Sequence, residues 1–424
     1  MTPDEWQSKP LGRLIAAIAA GVSVNSESRP RGLGEFGVLK TSAVTYGVFR
    51  PEQNKVVLPT EIDRLKESPV AGSVLVSRMN TEALVGAAAY VPENFADLFL
   101  PDRIWQCRPD PAVADGRWLH QLLSSPPMRR RLSEIAGGTS GSMKNIAQSR
   151  FLALSISAPP LPEQRKIATI LSSVDDAIEA TQAIIDQLQV VKKAMMAELL
   201  TRGLPGRHTR FKQTEIGNVP EEWALTSLGA LTQHSAFGPR FPSTLYGDIG
   251  NVGSVRTTDI SDDWEIDYTT VPRATLDPSV VAPHRLVDGD LLVSRSGTCG
   301  VTVVFRAQAV DMVPAAFLIR FRLQNTVDPE FVRLAMMEPS AQARVQSLAA
   351  GGVQKNLSGT NLSTLVLPLP PLAEQIEIVA AVAIIDARLR AERRLHKQQK
   401  EAKSALMSAL LSGEVRVKVD EAAA

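Results

Sequence analysis

The chain has 424 residues, 44% hydrophobic and 21% charged, with a formal net charge of +1. That suits a globular protein with room for two or three domains. It excludes a transmembrane chain, because no apolar run approaches the ~18 residues a bilayer requires, and the totals do not announce a strongly basic nucleic-acid binder. The two cysteines, Cys107 and Cys299, cannot form a disulfide framework and fit a reducing, cytoplasmic setting. Asp4 and Glu5 open the chain in place of a basic, then apolar, leader, which argues against a secretion signal.

Residues 1–158 read as a first α+β domain. Trp6 and the apolar run Leu14 to Ala20 open it. Val38 to Val48, Val56 to Leu58, Val74 to Ser77 and Gly86 to Val91 carry strand composition, and Trp118 to Leu123 and Met128 to Ala136 carry helical spacing. Pro159-Pro160 is a stop. From there to residue 202 the spacing predicts a single long helix. Its apolar seam is Ile167, Leu171, Val174, Ile178, Ile185, Leu188, Met195 and Leu199, with Thr181 and Lys192 in the two blank positions. A helix of about 39 residues is roughly 58 Å long at ~1.5 Å per residue, far beyond ordinary globular length.

Gly203-Leu204-Pro205-Gly206 ends that helix, and residues 203–222 read as a polar linker. A second α+β domain fills 223–369. A second long helix spans 370–412, with Gly413 as its cap and 413–424 as a tail. The second seam is Ile378, Val382, Ile385, Leu389, Leu406 and Leu410, interrupted by Glu392, His396, Gln399 and Lys403. Arg388, Arg390, Arg393, Arg394, Lys397 and Lys400 along this polar middle fit either a solvated face or a stripe beside a phosphate backbone.

The second half repeats the first. Pro159-Pro160-Leu161-Pro162-Glu163-Gln164 falls on Pro370-Pro371-Leu372-Ala373-Glu374-Gln375 at an offset of 211, as Lys144-Asn145-Ile146 falls on Lys355-Asn356-Leu357. Further upstream the offset is 217: Val74 to Arg78 falls on Leu291 to Arg295, Leu11-Gly12 on Leu228-Gly229, and Trp6 on Trp223. Repeats this long mean duplicated domains. A long helix with one apolar seam needs a partner helix, and the other copy supplies one. If the two pair antiparallel, the domains stand at opposite ends of a rigid spacer, an arrangement suited to reading two separated places on duplex DNA.

No Walker A loop, dinucleotide fingerprint or metal-ligand spacing of Cys and His is present, so neither catalytic nor metal residues are expected. Ser294 to Gly300 resembles a phosphate loop superficially, but no base accompanies it and the first copy lacks it. Residues 1–161 carry 18 Lys and Arg against 15 Asp and Glu, and residues 223–371 carry 11 against 13. Any DNA contact would therefore be made by local patches. The chemistry of base and phosphate contacts selects Arg78 with Asn80, Arg295 with Ser296 and Thr298, and the pairs Lys144-Asn145 and Lys355-Asn356. Arg129-Arg130-Arg131 suits a phosphate patch. The competing reading of each is ordinary: an Asn that caps a turn or an Arg at a strand end.

The repeated Pro-Leu-Pro-Glu-Gln block, Val219-Pro220-Glu221-Glu222-Trp223 and Leu292 to Thr298 together resemble the specificity subunit of type I DNA restriction–modification systems, over essentially the whole chain. Ala373, where the first copy has Pro162, is a departure that would loosen the start of the second helix. The resemblance implies two target-recognition domains, each reading half of a bipartite asymmetric site in double-stranded DNA. It implies helices that set the spacer and dock two modification (methyltransferase) subunits. S-adenosylmethionine would then belong to those subunits, and ATP and Mg to restriction subunits, with no cofactor on this chain. The alternatives are a coiled-coil scaffold without nucleic acid and a self-sufficient nuclease or methyltransferase.

Overall fold

The computed structural model describes residues 6–45, 47–138, 143–349 and 356–418. The chain divides into two compact units, Met1–Ala183 with Arg394–Ala424, and Ile184–Arg393. Each holds one α+β domain with parts of both long helices.

In the first unit four antiparallel strands lie in the order Ile15–Ala20, Ile104–Pro109, Val74–Ser77, Ala88–Tyr90. Val74–Ser77 is buried throughout because both sheet faces are covered. Side chains alternate across a strand. Val74 and Val76 accordingly join the core built on Trp118, Leu119, Leu123 and Phe151, while Leu75 joins a second cluster with Leu39, Val44, Phe49 and Leu98. The second unit repeats this plan with Thr232–Phe237, Leu318–Leu323, Leu291–Ser294 and Thr302–Val304. Leu291 and Val293 face one core and Leu292 the other.

The helix behind each sheet starts on an aspartate. Asp115 accepts from the backbone N of Arg117 and Trp118, and Asp328 from those of Glu330 and Phe331. The repeated Gln holds these starts in place. Gln164 accepts from the Asp115 N at 2.9 Å and donates to the Val113 and Pro159 carbonyls. Gln375 likewise accepts from the Asp328 N at 2.9 Å and donates to the Pro370 carbonyl.

The long helices span Leu161–Arg202 and Leu372–Ser412 and contain no break. Gly203 (φ 77°) and Gly413 (φ 79°) close them in the left-handed conformation that glycine adopts without strain. In each unit the helix segments pair antiparallel. In the first, Ile167, Ala168 and Leu171 share a core with Met407, Leu410 and Leu411, and Lys403 Nζ lies 2.5 Å from Asp175 Oδ1. In the second, Leu199 and Leu200 share a core with Ile378 and Val382, and Lys192 Nζ lies 2.6 Å from Asp386 Oδ1.

Two sequence expectations need correction. Leu406 is exposed, and Met407 takes the seam position; a strict seven-residue repeat overruns a helix of 3.6 residues per turn. The stretch 203–222 is no bare linker: Phe211–Thr214 and Gly217–Pro220 form an antiparallel hairpin that buries Val219. In the polar middle of the second helix, solvent-accessible cations form ion pairs within the protein. Arg390 bonds Glu265 at 2.9 Å, Arg393 bonds Asp263, Arg388 bonds Glu392 at 2.5 Å, and Lys397 lies 4.0 Å from Glu401. The other predicted seam residues are buried or half-buried.

Candidate nucleic-acid interface

The chain just past each central core strand meets a short segment from far along the sequence. In the first unit Met79–Asn80 pairs with Lys144–Asn145, setting Asn80 opposite Lys144 and Met79 opposite Asn145. The Ile146 N donates to the Arg78 carbonyl at 2.9 Å. Two candidate pairs more than sixty positions apart in sequence thus form one ribbon. Arg78 lies 5.9 Å from the ring centroid of the buried Trp105. The Asn80 amide is engaged locally, donating to Ser77 Oγ at 3.3 Å and accepting from the Thr81 N at 2.9 Å.

The second unit brings the equivalent segments together through a single bridge. Ser296 bridges Asn356, and the Leu357 N donates to the Arg295 carbonyl at 2.8 Å. The Arg295 guanidinium stacks 4.4 Å from the Phe237 centroid, and its Nε donates to Asn356 Oδ1 at 3.3 Å. Cation–π stacking of this kind fixes the plane of a guanidinium. Thr298 stands exposed on the adjoining turn, where its carbonyl accepts from Ser294 Oγ at 2.5 Å. Lys355 lies outside the described residues.

Arg295, Ser296 and Asn356 form the floor of a groove of about 710 Å³. Its walls come from Arg240, Phe241 and Tyr246, from Arg256 to Thr258, and from Ala315 to Phe317. A glycine makes this possible: a Cβ on Gly238 would stand 2.0 Å from the Pro314 carbonyl oxygen, so only glycine brings residues 239–241 against the wall at 314–317. Gly21 holds the same place in the first unit, pressed on the Leu100 carbonyl.

The groove's three arginines differ. Arg256 is bound by the buried Asp259 through Nε (3.1 Å) and a terminal nitrogen (2.7 Å), which raises its pKa against the opposing effect of burial. Arg295 is held by Phe237 and Asn356. Arg240 is exposed and, among the described residues, has no hydrogen-bonding or ionic partner in the protein. None of the wall residues is singled out by sequence; the only hint is Gly238, which falls on Gly21 at the 217 offset.

The run Arg129-Arg130-Arg131 does not form one cationic face. Arg129 donates to the Val85 and Ala83 carbonyls, and burial lowers its pKa. Arg131 donates to the Ser155 carbonyl at 2.7 Å, leaving Arg130 exposed. Among the described residues no group of His, Cys, Asp and Glu is arranged to hold a metal ion, and no helix is long and apolar enough to cross a membrane.

The family model described as "Type I restriction modification DNA specificity domain" matches residues 3–190 and 283–400, well over half of the chain. The chain belongs to the type I restriction–modification specificity family. A putative type I restriction enzyme MjaX specificity subunit from Methanocaldococcus jannaschii is 27% identical over 433 residues, covering 98% of this chain and 95% of the relative. The EcoKI specificity subunit of Escherichia coli K12 is 28% identical over 296 residues, 65% of this chain and 59% of the relative. The fold matches the crystal structure of a type I system S subunit from M. genitalium at a TM-score of 0.60 and 14% identity, covering 97% of both chains. It also matches, at 0.57 and 19% identity over 97% of this chain and 99% of the other, a chain from work on complex assembly and conformational transition of the type I system. In this specificity subunit the second matched stretch, 283–400, contains the groove floor, while Arg240 and Arg256 precede it.

Proposed function

We propose that the subunit is the non-catalytic DNA-reading component of a cytoplasmic type I restriction–modification complex. Each α+β unit recognises one half of a bipartite, asymmetric site in double-stranded DNA. The observation that carries this reading is the paired ribbon: both units present arginine and asparagine side chains on the same duplicated frame, Arg78 with Asn145 and Arg295 with Asn356. Arginine and asparagine are suited to base edges and phosphates. The long helices set the spacing of the half-sites and dock two modification subunits, which carry S-adenosylmethionine. Restriction subunits carry ATP and Mg.

The test is methylation mapping of DNA from cells that express the subunit with its modification partner. The expected result is modified adenines in paired half-sites at one fixed spacing; methylation without any bipartite preference overturns the reading. Removing two heptads from each helix shortens it by ~21 Å at 1.5 Å per residue and should change or abolish the recognised spacing. Gel shifts with random duplexes at low salt separate this function from a pure scaffold, which shifts none.

A further inference from the structure

The groove in the second unit combines two kinds of residue. Two of its three floor residues are repeated: Arg295 corresponds to Arg78 and Asn356 to Asn145, in equivalent backbone pairings, while Ser296 falls on Met79. Its wall is not. At the offset that places Gly238 on Gly21, Arg240 and Phe241 stand where the first copy has Ser23 and Val24. Two domains that read different half-sites share a need for the sugar-phosphate backbone and differ in the bases they meet. Repeated residues suit the first task and copy-specific residues the second.

Among the copy-specific wall residues the chemistry narrows to one. Arg256 is neutralised by Asp259. Tyr246 gives its hydroxyl to Ser254 Oγ at 3.1 Å and its ring to Phe241, with centroids 5.1 Å apart. Phe317 is apolar and 60% exposed. Among the described residues of the wall, Arg240 alone offers an unengaged guanidinium, and its backbone is positioned by the buried Pro239 and by the contact of Gly238 with the 314–315 backbone. An unengaged guanidinium fork at a groove wall matches the O6 and N7 acceptors of guanine in the major groove.

We propose that Arg240 is a specificity-determining residue of the second unit, reading a guanine of its half-site, while Arg295 grips the DNA backbone whatever the sequence. This rests on the DNA-reading function above. The test uses the full subunit with its modification subunits, on the mapped site and on duplexes with each base pair substituted in turn. Arg240→Gln should weaken binding to the mapped site roughly 5- to 150-fold, the ~1–3 kcal/mol of one bidentate base contact at 1.4 kcal/mol per tenfold. It should also erase discrimination at one G·C pair in one half, leaving the other half and non-specific binding unchanged. Arg295→Ala should weaken all duplexes alike and reduce the salt slope by about one. The proposal is overturned if Arg240→Gln keeps discrimination at every position, or if it lowers affinity uniformly as a phosphate contact would. A wild-type complex with no bipartite preference would instead overturn the DNA-reading function, and the assignment with it.

Discussion

The two units hold an equivalent buried carboxylate with different cations. In the first, Glu163 accepts from Trp6 Nε1 at 3.3 Å, from the Val417 N at 3.2 Å, and from Arg416 through two 2.8 Å bonds. In the second, Glu374 accepts from Trp223 Nε1 at 3.1 Å and faces His208 Nε2 at 2.9 Å, while His208 Nδ1 lies 2.8 Å from Glu222. The tryptophan and glutamate are the repeated residues. The cation comes from the chain just beyond a long helix, where the copies diverge. One latch therefore keeps its charge at any physiological pH, and the other depends on a histidine. Burial opposes the charge of Glu163, but the bonds from Arg416, Val417 and Trp6 outweigh it and hold the carboxyl below its usual range. Burial also lowers His208, and its bonds to Glu374 and Glu222 more than reverse that, so its pKa is raised.

The largest expected effect tests whether both latches bear on stability. Glu374→Ala leaves Trp223 Nε1 and His208 without their buried acceptor and should cost roughly 3 kcal/mol in urea unfolding. Glu163→Ala should cost about 2 kcal/mol, because the 42% exposed Arg416 side chain can return to water. A neutral Glu374→Ala would break the comparison. Next in size, Met407→Ala should lose about 2 kcal/mol by opening a cavity and Leu406→Ala under ~0.5 kcal/mol as a surface change, a contrast that thermal unfolding resolves. A smaller, pH-dependent effect separates the latches directly. His208 has a folded-state pKa above its unfolded value of about 6.5, so its contribution is complete below that value and is lost as the pH rises through the folded-state one. The second unit's melting temperature should fall as the pH rises above about 6.5, and His208→Arg should flatten that fall. An unchanged slope in His208→Arg would show that the histidine is not the titrating group. Arg393→Ala should likewise cost only about 0.5 kcal/mol, since its pairing with Asp263 is solvent-accessible.

The sequence makes some of this visible. The strands around Val74–Ser77 and Leu291–Ser294 are legible because both faces are covered and the hydrophobic run is continuous. The helices are legible from spacing and from the absence of Gly and Pro in their interiors. Trp6, Glu163, Gln164 and their copies are visible as repeats, but not their task. Trp6 meets Glu163 from 157 positions away and Trp223 meets Glu374 from 151, and no local pattern encodes such a meeting. The candidate Arg, Asn and Lys residues are legible by type, yet only strand pairing joins Asn80 to Lys144. Arg240 is hidden for a related reason. Its place at the groove wall depends on Gly238 lying against the 314–315 backbone, a contact between segments more than seventy residues apart.

The ion pairs between the long helices carry a consequence for ancestry. Asp175 bonds Lys403, and Lys192 bonds Asp386. Asp386 is Asp175 displaced by 211 positions, and Lys403 is Lys192 displaced by the same number. One pair is the other with its members exchanged. A chain half as long, with one domain and one helix, would carry both the lysine and the aspartate, and two copies could form both bonds across a two-fold axis. That is the self-complementary pattern of an isologous homodimer. Duplication and fusion of such a gene would keep both bonds while the two domains diverge.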